Sequence, residues 1–172
     1  MKGLWQQVNL QDRRVMVALA EREAPAWIDR GLRLVTHAGG ATATVSVCLL
    51  LLLIPATRHL GAVAGTANLI SHLLVQALKR TVVRRRPTIT LPHIPALTSF
   101  PDHFSFPSGH SCSAMAVAVP VLMEAPLAGL PVMMLALAVG ISRFYLRVHY
   151  LTDVIVGQML GATTALLVLQ RL

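Results

Sequence analysis

Charge is scarce in this sequence, and negative charge most of all: Asp and Glu number 7 in 172 residues, and charged residues of every kind make up 13%. A soluble domain carries roughly twice that share, which excludes a water-facing globule of this composition. Cysteine is sparse as well. Cys48 and Cys112 each sit in an apolar stretch and form no C-x-x-C pair, so they carry no metal or redox signal and read as packing residues. The opening residues MKGLWQQVNLQDRR are polar where a cleavable signal peptide would place its apolar run, so insertion is expected to rely on internal spans.

What is abundant is apolar: 55% of residues are hydrophobic and the mean hydropathy is +0.64. A bilayer core of roughly 30 Å takes about 20 apolar residues per helix, so this length supplies five or six spans and little else. Stretches 41–57, 61–78, 111–123, 127–141 and 151–169 read as spanning helices. Residues 1–40 place Leu4, Val8, Val15 and Leu19 at helical spacing among Arg13, Arg14, Arg22, Arg30 and Arg33, which suits helices lying in the membrane interface. Residues 26–39 also fit part of a further tilted span. The expected fold is an all-α integral membrane bundle of about five to six spans, with N-terminal interfacial helices over 1–40 and a membrane-embedded core over 41–172. Gly157 and Gly161, four apart in the last span, would allow close helix approach.

Residues 88–106 break this pattern. Pro92, Pro95 and Pro101 follow Pro87, interspersed with His93, Asp102 and His103, and predict a loop serving as a lid or a membrane-dipping entrance. Its apolar members Leu91, Ile94, Leu97, Phe100, Phe104 and Phe106 equally suit packing on the bundle.

Lys and Arg number 15 against 7 acidic residues, an excess that suits anionic lipid surfaces, phosphorylated substrates or nucleic acid. Membrane character leaves nucleic acid the least suited of the three. In the five-span arrangement 13 of the 15 basic residues fall on one side, with only Arg58 and Arg171 on the other.

Polar and ionisable residues are costly beside a membrane, so three segments stand out. In the third, His149 and Asp153 lie four apart at the start of the last helix, where a carboxylate can hold one imidazole nitrogen as N–H and leave the other as a nucleophile. A surface ion pair is the bland alternative. In the second, Pro107-Ser108-Gly109-His110 precedes a helix whose unpaired N–H groups favour phosphate. Ser108 would cap the helix or donate to a phosphate oxygen, Gly109 would allow close backbone approach, and His110 would protonate a departing alkoxide. In the first, Lys79 and Arg86 lie seven apart and share a face if the helix runs on to Pro87. Arg143 would complete a cationic cradle for the equatorial oxygens of a transferring phosphoryl group. Arg80, Arg84, Arg85 and Arg147 are assigned to lipid headgroups. Hard metal ions want carboxylates, and only Asp102 and Asp153 lie near these motifs. The spacing of His93, His103 and His110 fits no familiar zinc pattern.

Together, K-x6-R-P from Lys79 to Pro87, P-S-G-H from Pro107 to His110 and S-R-x5-H-x3-D from Ser142 to Asp153 resemble the three-part signature of the type 2 phosphatidic acid phosphatase (PAP2) superfamily. The resemblance implies a helical membrane enzyme without metal or cofactor, acting on phosphatidate, phosphatidylglycerophosphate, polyprenyl phosphates or diphosphates, or lipid A phosphates. It implies phosphate binding by Lys79, Arg86, Ser108, Gly109 and Arg143, a phosphohistidine at His149 oriented by Asp153, and a proton from His110. Vanadate would inhibit. The setting it implies is a bacterial cytoplasmic membrane with an extracytoplasmic site, whereas the basic count favours the cytoplasmic face, and both orientations stay open. A lipid phosphotransferase and a non-catalytic phospholipid-binding membrane protein are the rival readings. Among substrates an isoprenoid carrier is preferred, because so small a chain has little mass outside the membrane with which to read a large headgroup.

Overall fold

The computed structural model describes residues 2–22, 24–100 and 102–172; Met1, Glu23 and the loop proline Pro101 lie outside the described residues. Among these the chain forms α1 (Lys2–Ala20), α2 (Ala26–His37), α3 (Ala41–Leu53), α4 (Arg58–Val82), the single turn α5 (Pro87–Thr90), α6 (Gly109–Glu124), α7 (Pro126–Tyr145) and α8 (Leu151–Leu169). Each of the five apolar stretches becomes a helix, and the protein is an all-α integral membrane bundle. Three helices are long and apolar enough to cross a membrane, namely Pro55–Val82 (α4 with the turn before it), α7 and α8. The pair α2 and α3, bent by 51°, makes a fourth if it counts as one span. By length and composition the described helices thus supply three to four full spans, which matches the expected five to six only roughly. At 13 and 16 residues, α3 and α6 rise only about 20 and 24 Å, short of a full bilayer core.

Helix α6 is the axis of the bundle, held between α4, α7 and α8. Every side chain from Ser111 to Pro120 is buried, as expected of a helix apolar all round with Ala114, Ala116 and Ala118 small enough for close neighbours. Gly161 and Gly157 form the seam with α8. A Cβ on Gly161 would run into the Cys112 carbonyl, and one on Gly157 would lie 2.5 Å from the Ser108 carbonyl oxygen. Both obstructions are backbone, which cannot rotate away. Gly161→Ala is therefore expected to destabilise the bundle by about 1–3 kcal/mol, read as a lower unfolding midpoint in detergent. An unchanged midpoint would mean that α6 and α8 are not locked at this seam.

The chain directions bring the motifs together. The C-terminal ends of α4 and α7 and the N-terminal ends of α6 and α8 all meet at one end of the bundle. Arg58 and Arg171 mark the other. At the motif end, α2 packs on α7 and α1 lies against the start of α8, with Met16 fully buried beside Ile94 and Tyr150.

Candidate active site

The expectation that Lys79 and Arg86 share one helix face is not met. Helix α4 stops at Val82, and Val83 takes the left-handed conformation (φ 50°) as its C-cap, with its N–H bonding the Lys79 carbonyl. Arg86 is extended (φ −67°, ψ 156°), the conformation a following proline imposes on the residue before it. Residues 84–86 thus leave the helix as a short strand-like segment. Arg85 bridges Phe104, and the Ser105 N–H donates to the Arg84 carbonyl at 2.8 Å. This pairing fastens the 91–108 loop to the end of α4 and brings Lys79 and Arg86 together by another route. The Asp102 carboxylate accepts from Lys79 Nζ at 2.8 Å and from Arg86 Nη2 at 2.9 Å. Burial works to raise the Asp102 carboxyl, but the hydrogen bonds and charges of Lys79 and Arg86 outweigh it and hold it below the usual carboxylate range.

His149 is 2% exposed and lies between α7 and α8. Its Nδ1 is 2.7 Å from the Ser105 carbonyl oxygen. A carbonyl only accepts, so Nδ1 carries the proton and Nε2 presents a lone pair, to which Arg86 Nη1 donates at 3.2 Å. Burial, followed by the positive charges of Arg86, Arg143 and Lys79, holds the imidazole well below its ordinary value. The ring is neutral and its free nitrogen faces cations. That is the state required of a nucleophile toward phosphorus.

Asp153 differs from expectation in its contact. Its Oδ2 is 3.7 Å from His149 Nδ1, beyond hydrogen-bond distance, and instead accepts from the Tyr150 N–H at 2.8 Å. The reason is local. Tyr150 is the N-cap of α8, so His149 precedes the helix and the four-residue helical spacing does not apply to it. Asp153 sits at the third helical position, where a carboxylate reaches back to its cap. The group that bonds the imidazole is the Ser105 carbonyl, which had no side-chain signature by which to be found.

Arg143, near the end of α7, is 3% exposed; its Nη1 donates to Thr36 of α2 at 2.8 Å, and its buried Nε has no partner among the described residues. Ser108 caps α6, accepting from the Ser111 hydroxyl at 2.8 Å, while its own N–H donates to the Asp153 carbonyl at 2.9 Å. It is fully buried in this capping role. Gly109 and His110 at the first turn of α6, with Lys79, Arg86, Asp102, Arg143 and His149, line a cleft of about 170 Å³. Of the eight candidates, six face that cleft, and Ser108 and Asp153 stand behind it.

Arg84 departs furthest from the sequence expectation. Assigned to lipid headgroups, it is instead buried, donating to Asp153 Oδ1 at 2.5 Å and Asp12 Oδ2 at 2.7 Å, with its guanidinium 4.2 Å from the Tyr150 ring centroid. The reason is again the left-handed turn at Val83, which directs the chain inward. Among the described residues no three His, Cys, Asp or Glu side chains converge as they would around a metal ion.

Known proteins resemble this chain in both sequence and fold. The decaprenylphosphoryl-5-phosphoribose phosphatase of Mycobacterium tuberculosis is 37% identical over 116 residues, 67% of this chain and 63% of that protein. The undecaprenyl-diphosphatase of Sulfolobus acidocaldarius is 30% identical over 130 residues, 73% of this chain and 62% of that protein. The match thus spans less than two thirds of the length of these relatives. Among solved structures, the transmembrane phosphatidylglycerolphosphate phosphatase of Bacillus subtilis superposes with a TM-score of 0.80 at 27% identity, covering 95% of this chain and 85% of that one. Aquifex aeolicus LpxE shares the fold, with a TM-score of 0.81 at 23% identity over 91% of this chain and 93% of its own. The superfamily profile matches residues 59–172, which hold all three motifs and every residue lining the cleft from α4 onward, and the chain belongs to the PAP2 superfamily.

Proposed function

We propose that the protein is a metal-independent phosphatase of a bacterial cytoplasmic membrane that hydrolyses a lipid phosphate or diphosphate through a phosphohistidine at His149. The observation that carries this reading is the neutral imidazole with its Nε2 lone pair turned toward Arg86 in a cleft that also holds Lys79 and Arg143. A phosphate entering the cleft takes over the hydrogen bonds that Lys79 and Arg86 now give to Asp102. Nε2 attacks phosphorus, the P–O bond to the lipid breaks, and His110 at the rim gives its proton to the leaving oxygen. Water then attacks the phosphohistidine, returning the proton to His110 and releasing phosphate. Three cations and the N-terminus of α6 meet the charge that builds on the equatorial oxygens. The relatives named for decaprenyl and undecaprenyl substrates support a polyprenyl lipid as the one hydrolysed.

The direct test is phosphate release by purified protein in detergent with EDTA, across polyprenyl diphosphate, polyprenyl phosphate, phosphatidate and phosphatidylglycerophosphate. Turnover that survives EDTA and is fastest on a polyprenyl substrate is the expected result. Turnover abolished by EDTA, or release from none of the four, would overturn the reading.

A pH profile separates the two histidines. A depressed imidazole stays unprotonated, and so nucleophilic, until pH falls below its lowered value. On His149's account kcat/KM should therefore not decline as pH drops through the ordinary imidazole value of 6.5. The alkaline limb belongs to His110. Burial, then the positive charges of Arg143, His37, Lys79 and Arg86, hold it down at about 3 in the free protein, so it gains its proton when bound phosphate offsets those cations. The limb is therefore read in kcat and should vanish in His110→Gln. An alkaline limb that survives in this variant assigns the acid to another group.

A further inference from the structure

Helix α1 lies outside residues 59–172, yet it reaches the back of the candidate nucleophile. Asp12 is 4% exposed and its carboxylate holds one edge of Arg84, whose other edge holds Asp153 at 2.5 Å. The same carboxylate accepts from the Thr152 N–H at 3.3 Å and from the Thr152 hydroxyl, satisfying a first-turn donor of α8 that has no partner within its own helix. Arg84 Nη1 also donates to the Thr152 hydroxyl at 2.8 Å. Above this cluster Trp5 stacks edge-on against Phe106 at 5.7 Å, and Met16 seals its flank against Tyr150.

We propose that α1 belongs to the catalytic apparatus, with Asp12 acting through Arg84 as a positioning residue for the Asp153 carboxylate behind His149. The inference rests on His149 being the nucleophile. Asp153 has two oxygens, one on the Tyr150 N–H and one on Arg84, and the distance of 3.7 Å to His149 Nδ1 depends on both. Without Asp12 the Arg84 guanidinium keeps Asp153 and Thr152 on Nη1 and loses the carboxylate that holds Nη2, so its fork is fixed at one edge only.

The charge balance points the same way. Asp12, Arg84 and Asp153 together carry one net negative charge behind an imidazole that becomes positive as it attacks phosphorus. The other groups around His149 are cationic (Lys79 on α4, Arg86, Arg143 on α7), with Asp102 from the loop already paired to Lys79 and Arg86 and His110 on α6 uncharged until protonated. The buried array is thus the counter-charge on the side of the ring away from substrate.

The test compares wild type, Asp12→Asn, Asp12→Glu, Arg84→Gln, the Asp12→Asn/Arg84→Gln double variant and His149→Ala. Asp12→Asn keeps its shape but loses the charge and one of the two acceptor oxygens, since the amide NH2 cannot accept from Arg84 or Thr152. It is expected to lower kcat roughly 10-fold, the low end of the range for a carboxylate directly behind a functional imidazole because Arg84 and Asp153 intervene, with KM unchanged because no phosphate contact is lost. Asp12→Glu should recover most of kcat, and Asp12→Asn should add little to Arg84→Gln, since both act through one guanidinium. Wild-type kcat in Asp12→Asn, a KM effect alone, or losses that multiply independently in the double variant would overturn the proposal. If Asp12→Asn unfolds in detergent, Asp12→Glu decides: restored folding with restored kcat supports the role, and restored folding without kcat overturns it. An active His149→Ala would instead remove the reading on which the inference rests, so the two failures are distinguishable.

Discussion

Replacing His149 by alanine is expected to reduce phosphate release on the order of 10⁴-fold, while inorganic phosphate and vanadate still bind. The asymmetry follows from the geometry. Lys79, Arg86 and Arg143 stay in place around the cleft, so the charges that attract the anion are untouched. What disappears is the Nε2 lone pair that the proposed mechanism directs at phosphorus. A neutral imidazole is competent without any activating base, because the Ser105 carbonyl already fixes the proton on Nδ1 at 2.7 Å. Rapid-quench labelling with radioactive substrate should trap an acid-labile phosphoenzyme in wild type and none in the variant. If His149→Ala retains activity within tenfold of wild type, or if wild type hydrolyses substrate without a phosphoenzyme in single turnover, direct attack by water replaces the covalent route.

Arg143 yields the second large effect, with opposite signs in activity and stability. Arg143→Gln should lower kcat/KM by about 10²–10³-fold, the range for removing one preorganised donor from developing oxyanion charge. Arg143→Lys should rescue little, since an ammonium cannot reproduce the planar fork. The guanidinium is 3% exposed, and among the described residues it belongs to no ion pair, with Thr36 as its side-chain partner and Nε left unbonded. Burying a cation in that way is costly in the free protein. Neutralising it therefore removes strain, and the thermal midpoint of Arg143→Gln in detergent should rise as activity falls. A midpoint that drops together with activity would assign Arg143 to holding α2 on α7 rather than to phosphate.

The contrast between Arg143 and Arg84 shows where the sequence stops being informative. Arg143 is marked by its place in S-R-x5-H-x3-D, whereas nothing in the neighbours of Arg84 sets it apart from Arg80 and Arg85. Arg143 faces the cleft with Thr36 as its side-chain partner, while Arg84 is clamped between two carboxylates from opposite ends of the chain. The spacing of 72 residues between Asp12 and Arg84 has no periodicity that a linear pattern could register. The Ser105 carbonyl is invisible for a different reason, since every residue has one and only the fold selects which points at an imidazole. The Lys79 and Arg86 pairing was legible as two cations near a proline, but the route was misread because a left-handed valine, strained by its β-branch, is not a position that sequence announces.

The sequence by itself determined that the chain is helical and membrane-embedded, because long apolar runs with so few charges have no stable alternative in water. It also marked the ends of those helices where ionisable residues gather, since such residues persist beside a membrane only where something offsets their desolvation. The tertiary structure alone decided the tautomer of His149, the anchoring of Asp153 by Arg84, and the inclusion of α1 behind the site. Those features depend on hydrogen-bond direction and on contacts between distant segments, and hydrogen bonds are set by angles and ångströms that exist only once the helices have packed.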